Sequence, residues 1–385
     1  MIELQPGMAE VWAALPEARI VGGAVRDMLA GCKVADVDFA SPLPPEMVMA
    51  RVKAAGLKAV PTGLAHGTVT VVARGVGFEV TTLRRDVETD GRHAVVAFTD
   101  DWREDASRRD FTINAMSATR DGEVFDYFGG REDLAVGRVR FVGQAAARIG
   151  EDYLRILRFF RFFARYGRGE PDAEAVAAIQ ALREGVKNLS AERIWSEMKL
   201  ILRAQDPCPA LVLMHETGVL ALVLPGADVA RMQALVAKGA PVDPLLRMAA
   251  LLHGDADAFA VRWKLSKAEH ERLRALAVGN ALRPEDGDEA LRRALAEDDA
   301  EVLIDRIWLG AEDGSAWGKL RQRLTRMERP VFPLHGRDLM AMGIPAGPRL
   351  GVVLREVREW WMRGGCVADV QACREQASLL PWLSP

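Results

Sequence analysis

The character of the sequence changes near residue 140, and this change limits the architectures that the chain can adopt. The first ~140 residues alternate short β-forming runs with helical segments and contain many glycines, whereas the remainder is helical in pattern almost throughout. At 385 residues the chain is expected to form about two to four domains. The pattern therefore predicts an α+β protein, with a small mixed β-sheet and helices in an N-terminal head, followed by helices alone.

Composition indicates a globular protein and argues against several functional classes. Hydrophobic residues make up 49% and charged residues 27%, and no apolar run reaches the ~18 residues of a membrane span, so we expect no membrane segment. The N-terminus is interrupted by charges and a proline and does not resemble a signal peptide. Four scattered cysteines predict a reducing cytoplasm rather than disulfides or a zinc site. A net charge of −3 argues against a uniformly basic surface but allows local basic patches for RNA.

Two glycines after the first predicted strand form the first candidate functional feature. Residues 18–21 are predicted as a strand that ends at Gly22 and Gly23, and a helix is predicted to follow. Glycine lets the backbone approach a phosphate closely, while the helix N-terminus and Arg26 would attract the anion. For the glycines alone, a tight turn with a surface pair of Arg26 and Asp27 is the favoured explanation.

Asp36 and Asp38 lie on the second predicted strand, residues 34–40. Alternate residues of a strand point to the same face, so both carboxylates would project together while Val37 and Phe39 face the core. Two carboxylates this close repel each other unless cations lie between them, as a two-Mg²⁺ phosphoryl-transfer site requires. A solvated edge strand is the alternative, but the preceding Gly-Gly-x-x-Arg-Asp turn favours the metal site.

Glu79 lies on a predicted β-hairpin, in which residues 68–73 and 78–83 are β-forming runs joined by a turn that contains two glycines. An acidic residue within an apolar strand could be a third carboxylate of the metal site or could belong to a solvent-facing strand face, and both interpretations stay open. The polar segment 86–99 that follows is expected to be a mobile excursion.

A second cluster begins with the Arg108-Arg109-Asp110 triplet. Residues 108–118 predict a helix, on which Asp110 and Asn114 are four residues apart and share one face. Taken alone, the simpler explanation is that Asp110 caps a helix and that the arginines pair with Glu104 and Asp105.

A third cluster, Glu151, Asp152 and Arg155, has spacings of three and four residues that would place all three near one helix face. An aspartate can accept from the amino group of cytosine or adenine while an arginine donates to the adjacent ring nitrogen, whereas guanine and uracil present the reverse order. Each unpaired desolvated polar group costs about 1–3 kcal/mol, enough to select C and A over G and U. The alternative is a surface ion-pair ladder worth a few tenths of a kcal/mol.

Further arginines are interleaved with phenylalanines after this cluster: Arg158, Arg161, Arg165 and Arg168. They suggest a helix that is packed on one side and faces an RNA backbone on the other. Solvated surface charge is an equally good explanation for the last three individually.

Roughly residues 20–165 resemble the class II tRNA nucleotidyltransferases, of the poly(A) polymerase head-domain superfamily. The resemblance is carried by GGAVRD with DVDFA, HGTVTV with FEVTTLRRD, RRDFTINAM, FDYFGGREDL and EDYLRILRFFRF. Weaker similarity to the family's neck and tail follows in LSAERIWSEMKLIL and PLHGRDLMAMGIPAGPRLGVVL. The resemblance implies a catalytic head over residues 1–138, a neck with a nucleotide-template helix over 139–203, a body over 204–280 and a tRNA-binding tail over 281–385.

The resemblance also implies a role for each matching residue. The candidates are Asp36, Asp38 and Glu79 for catalysis, the two aspartates as metal ligands; Gly22, Gly23, Arg26, Arg109, Asp110 and Asn114 for the nucleotide and its phosphates; and Glu151, Asp152, Arg155 and Arg158 for base selection. With Mg²⁺ as cofactor, the 3′-hydroxyl of tRNA would attack the α-phosphate of CTP or ATP and pyrophosphate would leave. The expected partners are the acceptor stem and 3′ end of tRNA with the two nucleotides, without a membrane or a required protein partner.

The sequence departs from the family pattern in places, and several alternative functions stay open. Tyr153 stands where the family often has a small residue or proline, which predicts different packing of the template helix. Segment 86–99 corresponds to the family's flexible loop and favours full CCA addition over CC addition alone. His253-Gly254-Asp255 departs from an adjacent His-Asp pair, so no second phosphohydrolase activity is expected. The rivals are a poly(A) polymerase, an enzyme adding only CC or only A, a small-molecule nucleotidyltransferase and a non-catalytic RNA-binding protein.

Overall fold

The computed structural model describes residues 5–34, 36–90, 93–252, 254–310 and 314–380. The chain divides into two compact units, Met1–Ala227 and Asp228–Pro385. The first combines a mixed β-sheet with helices, and the described residues of the second form helices and their connections. The predicted α+β class, with a sheet-containing head followed by helices, is confirmed. His253 of the motif discussed above lies outside the described residues.

A mixed sheet forms the centre of the first unit. The strands are β1 (Arg19–Val21), β2 (Asp38–Ser41), β3 (Lys58–Gly63), β4 (Thr68–Ala73), β5 (Val76–Thr82), β6 (Arg84–Asp90), β7 (His93–Phe98), β8 (Met116–Ala118) and β9 (Val124–Asp126). Seven of them form one sheet in the order β3-β4-β5-β2-β1-β8-β9, in which β2 and β5 run parallel and the other neighbours antiparallel. The predicted hairpin is present as β4 and β5.

Eleven α-helices accompany the sheet in the described part of the first unit. They are α1 (Met8–Ala14), α2 (Gly23–Leu29), α3 (Pro45–Ala54), α4 (Trp102–Ser107), α5 (Gly130–Val136), α6 (Ala145–Glu151), α7 (Leu154–Tyr166), α8 (Ala173–Leu182), α9 (Ala191–Leu202), α10 (Cys208–Glu216) and α11 (Val219–Val223), with 3₁₀ turns at Leu64–His66, Thr112–Asn114 and Arg183–Asn188.

Apolar residues at alternate positions give the sheet a buried face. Val69 and Val71 of β4 and Phe78 and Val80 of β5 are buried, and the Phe78 ring packs edge to face against Phe39 at 5.9 Å. The polar residues between them on these strands are left on the opposite face.

An aromatic cluster packs α7 against the head. Phe111 lies 4.6 Å from Phe141 and 5.2 Å from Phe162, while Phe141 stacks on Phe159 at 6.1 Å. These side chains are buried, so the prediction that this helix is packed on one side is confirmed. The contacts fix the arginine-bearing face of α7 relative to the sheet.

Segment 86–99, expected to be a mobile excursion, contains β6 and β7, which pair as a two-stranded antiparallel sheet with an irregularity between Asp86 and Glu88. Its mobility stays a prediction. The helix predicted from residue 108 onward is wrong. Residues 108–118 do not form one helix. The helix ends at Ser107, a 3₁₀ turn follows at Thr112–Asn114, and strand β8 begins at Met116. The pairing of Phe111 with Phe141 and the burial of Ile113 and Met116 outweigh the local helical pattern.

The second unit is built from α12 (Val229–Ala237), α13 (Pro244–Leu251), α14 (Ala256–Arg262), α15 (Lys267–Ala277), α16 (Asp288–Glu297), α17 (Ala300–Gly310), α18 (Ser315–Arg326), α19 (Gly336–Ala341), α20 (Pro348–Arg363) and α21 (Val370–Ser378). One apolar core includes Leu291, Ile307 and Leu324, and another includes Val357 and Trp361. Over the described ranges, no helix is long and apolar enough to cross a membrane.

Candidate active site

The glycine turn lies beside Asp38 at the end of β1. Val21 pairs with Asp38, and Gly22 follows Val21 directly. Gly22 has φ 68°, a conformation that favours glycine, and a Cβ there would lie 2.8 Å from Nη1 of Arg109. The turn therefore requires glycine both for its backbone conformation and for the close approach of an arginine.

The three candidate catalytic carboxylates are exposed on or directly before two interior strands of the sheet, next to this turn. The parallel pairing of Phe39 with Val80 places Asp38 level with Glu79. Asp36 precedes β2 rather than lying in it, and Asp36, Asp38 and Glu79 are exposed while Phe39 is buried. The burial alternates as predicted, although the regular strand is shorter than predicted.

Negative charge accumulates around Asp38. Surrounding protein atoms raise the pKa of its carboxyl by desolvation, and the charges of Glu79 and Asp36 raise it further, against the opposing charge of Arg109. Such a set of carboxylates attracts a divalent cation. Within the described ranges, no group of three or more His, Cys, Asp or Glu side chains is arranged to enclose a metal. The donors fit a cation such as Mg²⁺, which proteins commonly bind through one or two carboxylates plus substrate phosphates and water.

An arginine-rich cleft of about 890 Å³ adjoins the glycine turn. Among the described residues, two carboxylates line it, Asp110 and Asp152. The described lining also includes nine arginines: Arg26, Arg84, Arg108, Arg109, Arg155, Arg158, Arg161, Arg165 and Arg203. Gly22, Gly23 and Asn114 complete the predicted residues that line it, whereas Asp36, Asp38, Glu79 and Glu151 are not among its lining residues. An excess of guanidinium groups is suited to a polyanion such as a triphosphate.

Arg26 is held in place by hydrogen bonds and by contacts with two aromatic rings. Its Nη1 donates to Oδ1 of Asn114 (2.5 Å), its Nε donates to Oδ1 of Asp27 (2.9 Å), and its guanidinium lies over the rings of Phe162 and Tyr166 at 4.9 and 4.8 Å. Arg26 is buried, so the predicted Arg26–Asp27 pair exists but is not a surface pair. These contacts preorganise the guanidinium toward the cleft.

Asp110 and Asn114 come together, but not on a helix. Asn114 Nδ2 donates to Asp110 Oδ1 (3.0 Å) across the 3₁₀ turn, and Asp110 Oδ2 lies 2.5 Å from Nη2 of Arg158. The predicted proximity is therefore present, whereas the predicted helix face and the helix-cap alternative are wrong. The predicted pairing of Arg108 and Arg109 with Asp105 is present, at 2.9 and 3.4 Å.

Glu151, Asp152 and Arg155 do not share one helix face, because the helix breaks between them. Glu151 ends α6, Asp152 is extended, and α7 begins at Leu154. Glu151 pairs with Arg155 and with Arg148 (3.0 Å), which matches the ion-pair alternative for this residue. Asp152, Arg155 and Arg158 all line the cleft, so three of the four predicted base-selection residues lie in one site.

Three residues in or beside the cleft were not predicted to be functional from the sequence, although Asp105 was expected to pair with the neighbouring arginines. Asp105 is buried and receives hydrogen bonds from Arg108, Arg109 and the Arg84 backbone N–H (3.2 Å). Arg193 of α9 pairs with Asp152 at 2.7 Å, and Arg203, which directly follows α9, lines the cleft. No local pattern marks Arg193 or Arg203, since both depend on how α9 packs on α7.

The fold and the cleft define a nucleotidyltransferase with a poly(A) polymerase type of head. Residues 18–140 match the family described as the poly A polymerase head domain, and residues 170–231 match the probable RNA and SrmB-binding site of polymerase A.

Relatives that match over most of the chain identify its family. The mitochondrial CCA tRNA nucleotidyltransferase 1 of Danio rerio is 37% identical over 371 residues, covering 93% of this chain and 86% of the relative. The CCA-adding enzyme of Geobacillus stearothermophilus is 34% identical over 355 residues, 86% and 85% of the two chains. A crystal structure of the Bacillus stearothermophilus CCA-adding enzyme in complex with CTP has a TM-score of 0.72 at 29% identity and covers 94% of each chain. The chain belongs to the family of CCA-adding tRNA nucleotidyltransferases, a class of enzyme that depends on a divalent metal ion.

Proposed function

We propose that this chain adds the terminal C, C and A of tRNA from CTP and ATP, without a nucleic-acid template. The observation that carries the proposal is the position of Asp152 and Arg155 in the same arginine-lined cleft as Arg26. A phosphate-binding set beside a paired acceptor and donor is what selection of a nucleotide by its base requires. The solved relative in complex with CTP supports binding of this nucleotide by a protein of this fold.

Phosphate binding is assigned to the turn and the buried arginines. Arg26, held by Asn114 and Asp27, would contact the triphosphate, and Gly22 and Gly23 allow the phosphates to approach the backbone. Arg109, whose Nη1 donates to the Asn114 carbonyl oxygen (3.4 Å), also lines the cleft and would contact the nucleotide. Asp110 and Asn114 are assigned to the sugar, because they combine acceptor and donor groups within the same cleft.

Catalysis is assigned to the exposed carboxylates beside the turn. Asp36 and Asp38 would hold Mg²⁺, and Glu79 adds negative charge next to Asp38. Bound Mg²⁺ would supply Lewis-acid stabilisation of the reacting phosphate and activation of the tRNA 3′-hydroxyl. The residues of the chain position the two reactants, which is the main contribution of a protein to phosphoryl transfer.

Base selection is assigned to Asp152 and Arg155, with Arg158 beside them. Asp152 Oδ1 accepts from the Leu154 N–H (3.0 Å) and Oδ2 accepts from Arg193 (2.7 Å). Each carboxylate oxygen has two acceptor sites, so Asp152 retains capacity for the amino group of cytosine or adenine while its orientation is fixed. Glu151 pairs with Arg155, and we assign it the role of orienting the Arg155 guanidinium.

The remaining assignments follow the family's organisation. We assign the catalytic head to residues 1–138, the neck to 139–203, the body to 204–280 and the tRNA-binding tail to 281–385. Four free cysteines are consistent with a reducing cytoplasm. Curated relatives such as the Danio rerio protein are named mitochondrial, so the cytoplasmic location stays a prediction.

The test is elongation of tRNA that lacks its 3′ CCA, with Mg²⁺ and with each nucleotide singly and in combination. We expect addition of two C residues with CTP alone, and one further A followed by a stop when ATP is present. Unlimited addition of A would identify a poly(A) polymerase, and a stop after CC would identify a partial enzyme. No addition by the folded protein would contradict the proposal.

A further inference from the structure

The turn that carries Asp152 is held by contacts from distant parts of the chain. Asp152 has φ −156° and ψ 110°, an extended residue between α6 and α7. Its own carboxylate caps the Leu154 N–H, and Arg193 holds the other oxygen from α9. Tyr153 lies between Asp152 and Leu154, so any movement of this residue shifts the peptides on both sides of it.

The Tyr153 ring lies directly on Gly185. Gly185 is buried in the 3₁₀ turn Arg183–Asn188, and a Cβ built there would lie 2.0, 2.1 and 2.4 Å from Cδ1, Cε1 and Cγ of Tyr153. Carbon atoms in ordinary contact are about 3.5–4.0 Å apart, so the ring fills the space that any side chain at this position would need. The φ of Gly185 lies outside the left-handed region, so space rather than backbone conformation requires glycine here.

We propose that the Tyr153–Gly185 contact positions Asp152 and thereby sets nucleotide selectivity. This inference rests on the proposed function. Tyr153 and Gly185 are positioning residues that need no contact with the nucleotide. With the ring seated on Gly185 and Arg193 holding Oδ2, the Asp152 carboxylate is fixed from two directions. Selection between bases by hydrogen bonds depends on placement of the reading groups to within about 0.5 Å, so displacement of the ring weakens selection.

A double-mutant cycle tests the contact in the full-length protein. The variants are Gly185→Ala, Tyr153→Ala and both together, with Gly150→Ala as the matched control because a Cβ at Gly150 meets nothing within 4 Å. The measurement is the ratio of kcat/KM for CTP over UTP on tRNA lacking CCA. We expect Gly185→Ala to lower this ratio about tenfold or more. In the Tyr153→Ala background the same change is expected to have no further effect, and Gly150→Ala is expected to leave the ratio unchanged.

The outcomes separate positioning from a general structural role. A Gly185→Ala variant with lower thermal stability and an unchanged ratio overturns the inference, as does an equal loss in both backgrounds. If Gly185→Ala alone does not fold, the CTP/UTP ratio of the folded Tyr153→Ala variant decides: a loss of about tenfold or more supports the inference, and an unchanged ratio overturns it. Absence of CTP incorporation by the unchanged protein would overturn the proposed function itself, which is a distinct result.

Discussion

Replacement of Asp110 by asparagine tests the electrostatic organisation of the cleft. Asp110 is buried, its Oδ1 accepts from the Phe111 N–H (2.9 Å) and from Asn114 Nδ2 (3.0 Å), and its Oδ2 lies 2.5 Å from Nη2 of Arg158. Asparagine keeps the shape and one carbonyl acceptor but removes the negative charge. The substitution therefore isolates the ion pair with Arg158 from the packing of the site.

The expected loss of stability depends on how exposed the Asp110–Arg158 ion pair is. Loss of one partner from a fully buried ion pair costs about 3–5 kcal/mol. The Arg158 side chain is 35% exposed, and solvent screening reduces the expected loss to about 1–3 kcal/mol. The lowered pKa of Asp110 indicates that the charged carboxylate stabilises the folded protein. Burial raises this pKa, but Arg158 and the hydrogen bonds from Asn114 and Phe111 hold it below its ordinary value.

Urea unfolding followed by tryptophan fluorescence measures the effect. At pH 7 we expect the free energy of unfolding of Asp110→Asn to be about 1–3 kcal/mol below that of the unchanged protein. Because the pKa is lowered by folding, the stabilisation is present above the unfolded value of about 4 and is lost as the pH falls through the folded value. The difference should therefore shrink below pH ~4. The exposed Asp121→Asn is the control. Equal stabilities at pH 7, or a difference that grows in acid, would refute this reasoning.

Three further predictions concern single residues. Asp36→Ala is expected to abolish incorporation of every nucleotide while circular dichroism and the thermal midpoint stay unchanged, and substantial residual transfer would remove Asp36 from the metal site. Arg26→Gln removes a charged donor worth about 1.5–3 kcal/mol, so steady-state kinetics should show the KM for CTP raised by roughly 10- to 150-fold; the exposed Arg51→Gln is the control, and an unchanged KM would contradict triphosphate binding. Phe159→Ala empties a fully buried position in the aromatic cluster and should cost about 3–5 kcal/mol in urea unfolding, whereas a loss below about 1 kcal/mol would show that the cluster does not anchor α7.

Local patterns predicted the parts of the head that depend on neighbouring residues. Alternation of Val69, Val71, Phe78 and Val80 sets the faces of the hairpin, and the positive φ of Gly22 explains why glycine stands at the turn. In both places the signal lies within a few residues of the structure that it specifies.

The template region could not be predicted from local spacing because its conformation depends on distant residues. The spacing of Glu151, Asp152 and Arg155 is helical, yet the helix breaks where Arg193, 41 residues away, holds Asp152. Tyr153 was expected to change the packing of this helix, but the contact of its ring with Gly185 is visible only in the folded chain. In the same way, burial of Phe111 against Phe141 overrides the helical pattern after residue 108.

The central claim, that side chains of this cleft select the incoming base, is tested most directly by comparing the kcat/KM of CTP, ATP, GTP and UTP for the unchanged protein and Asp152→Ala. We expect the unchanged protein to strongly prefer CTP on tRNA lacking CCA, and ATP on tRNA ending in CC. The variant should retain metal-dependent transfer but accept GTP and UTP at rates close to those of CTP and ATP. An unchanged preference in a folded, active Asp152→Ala variant would contradict selection by this residue.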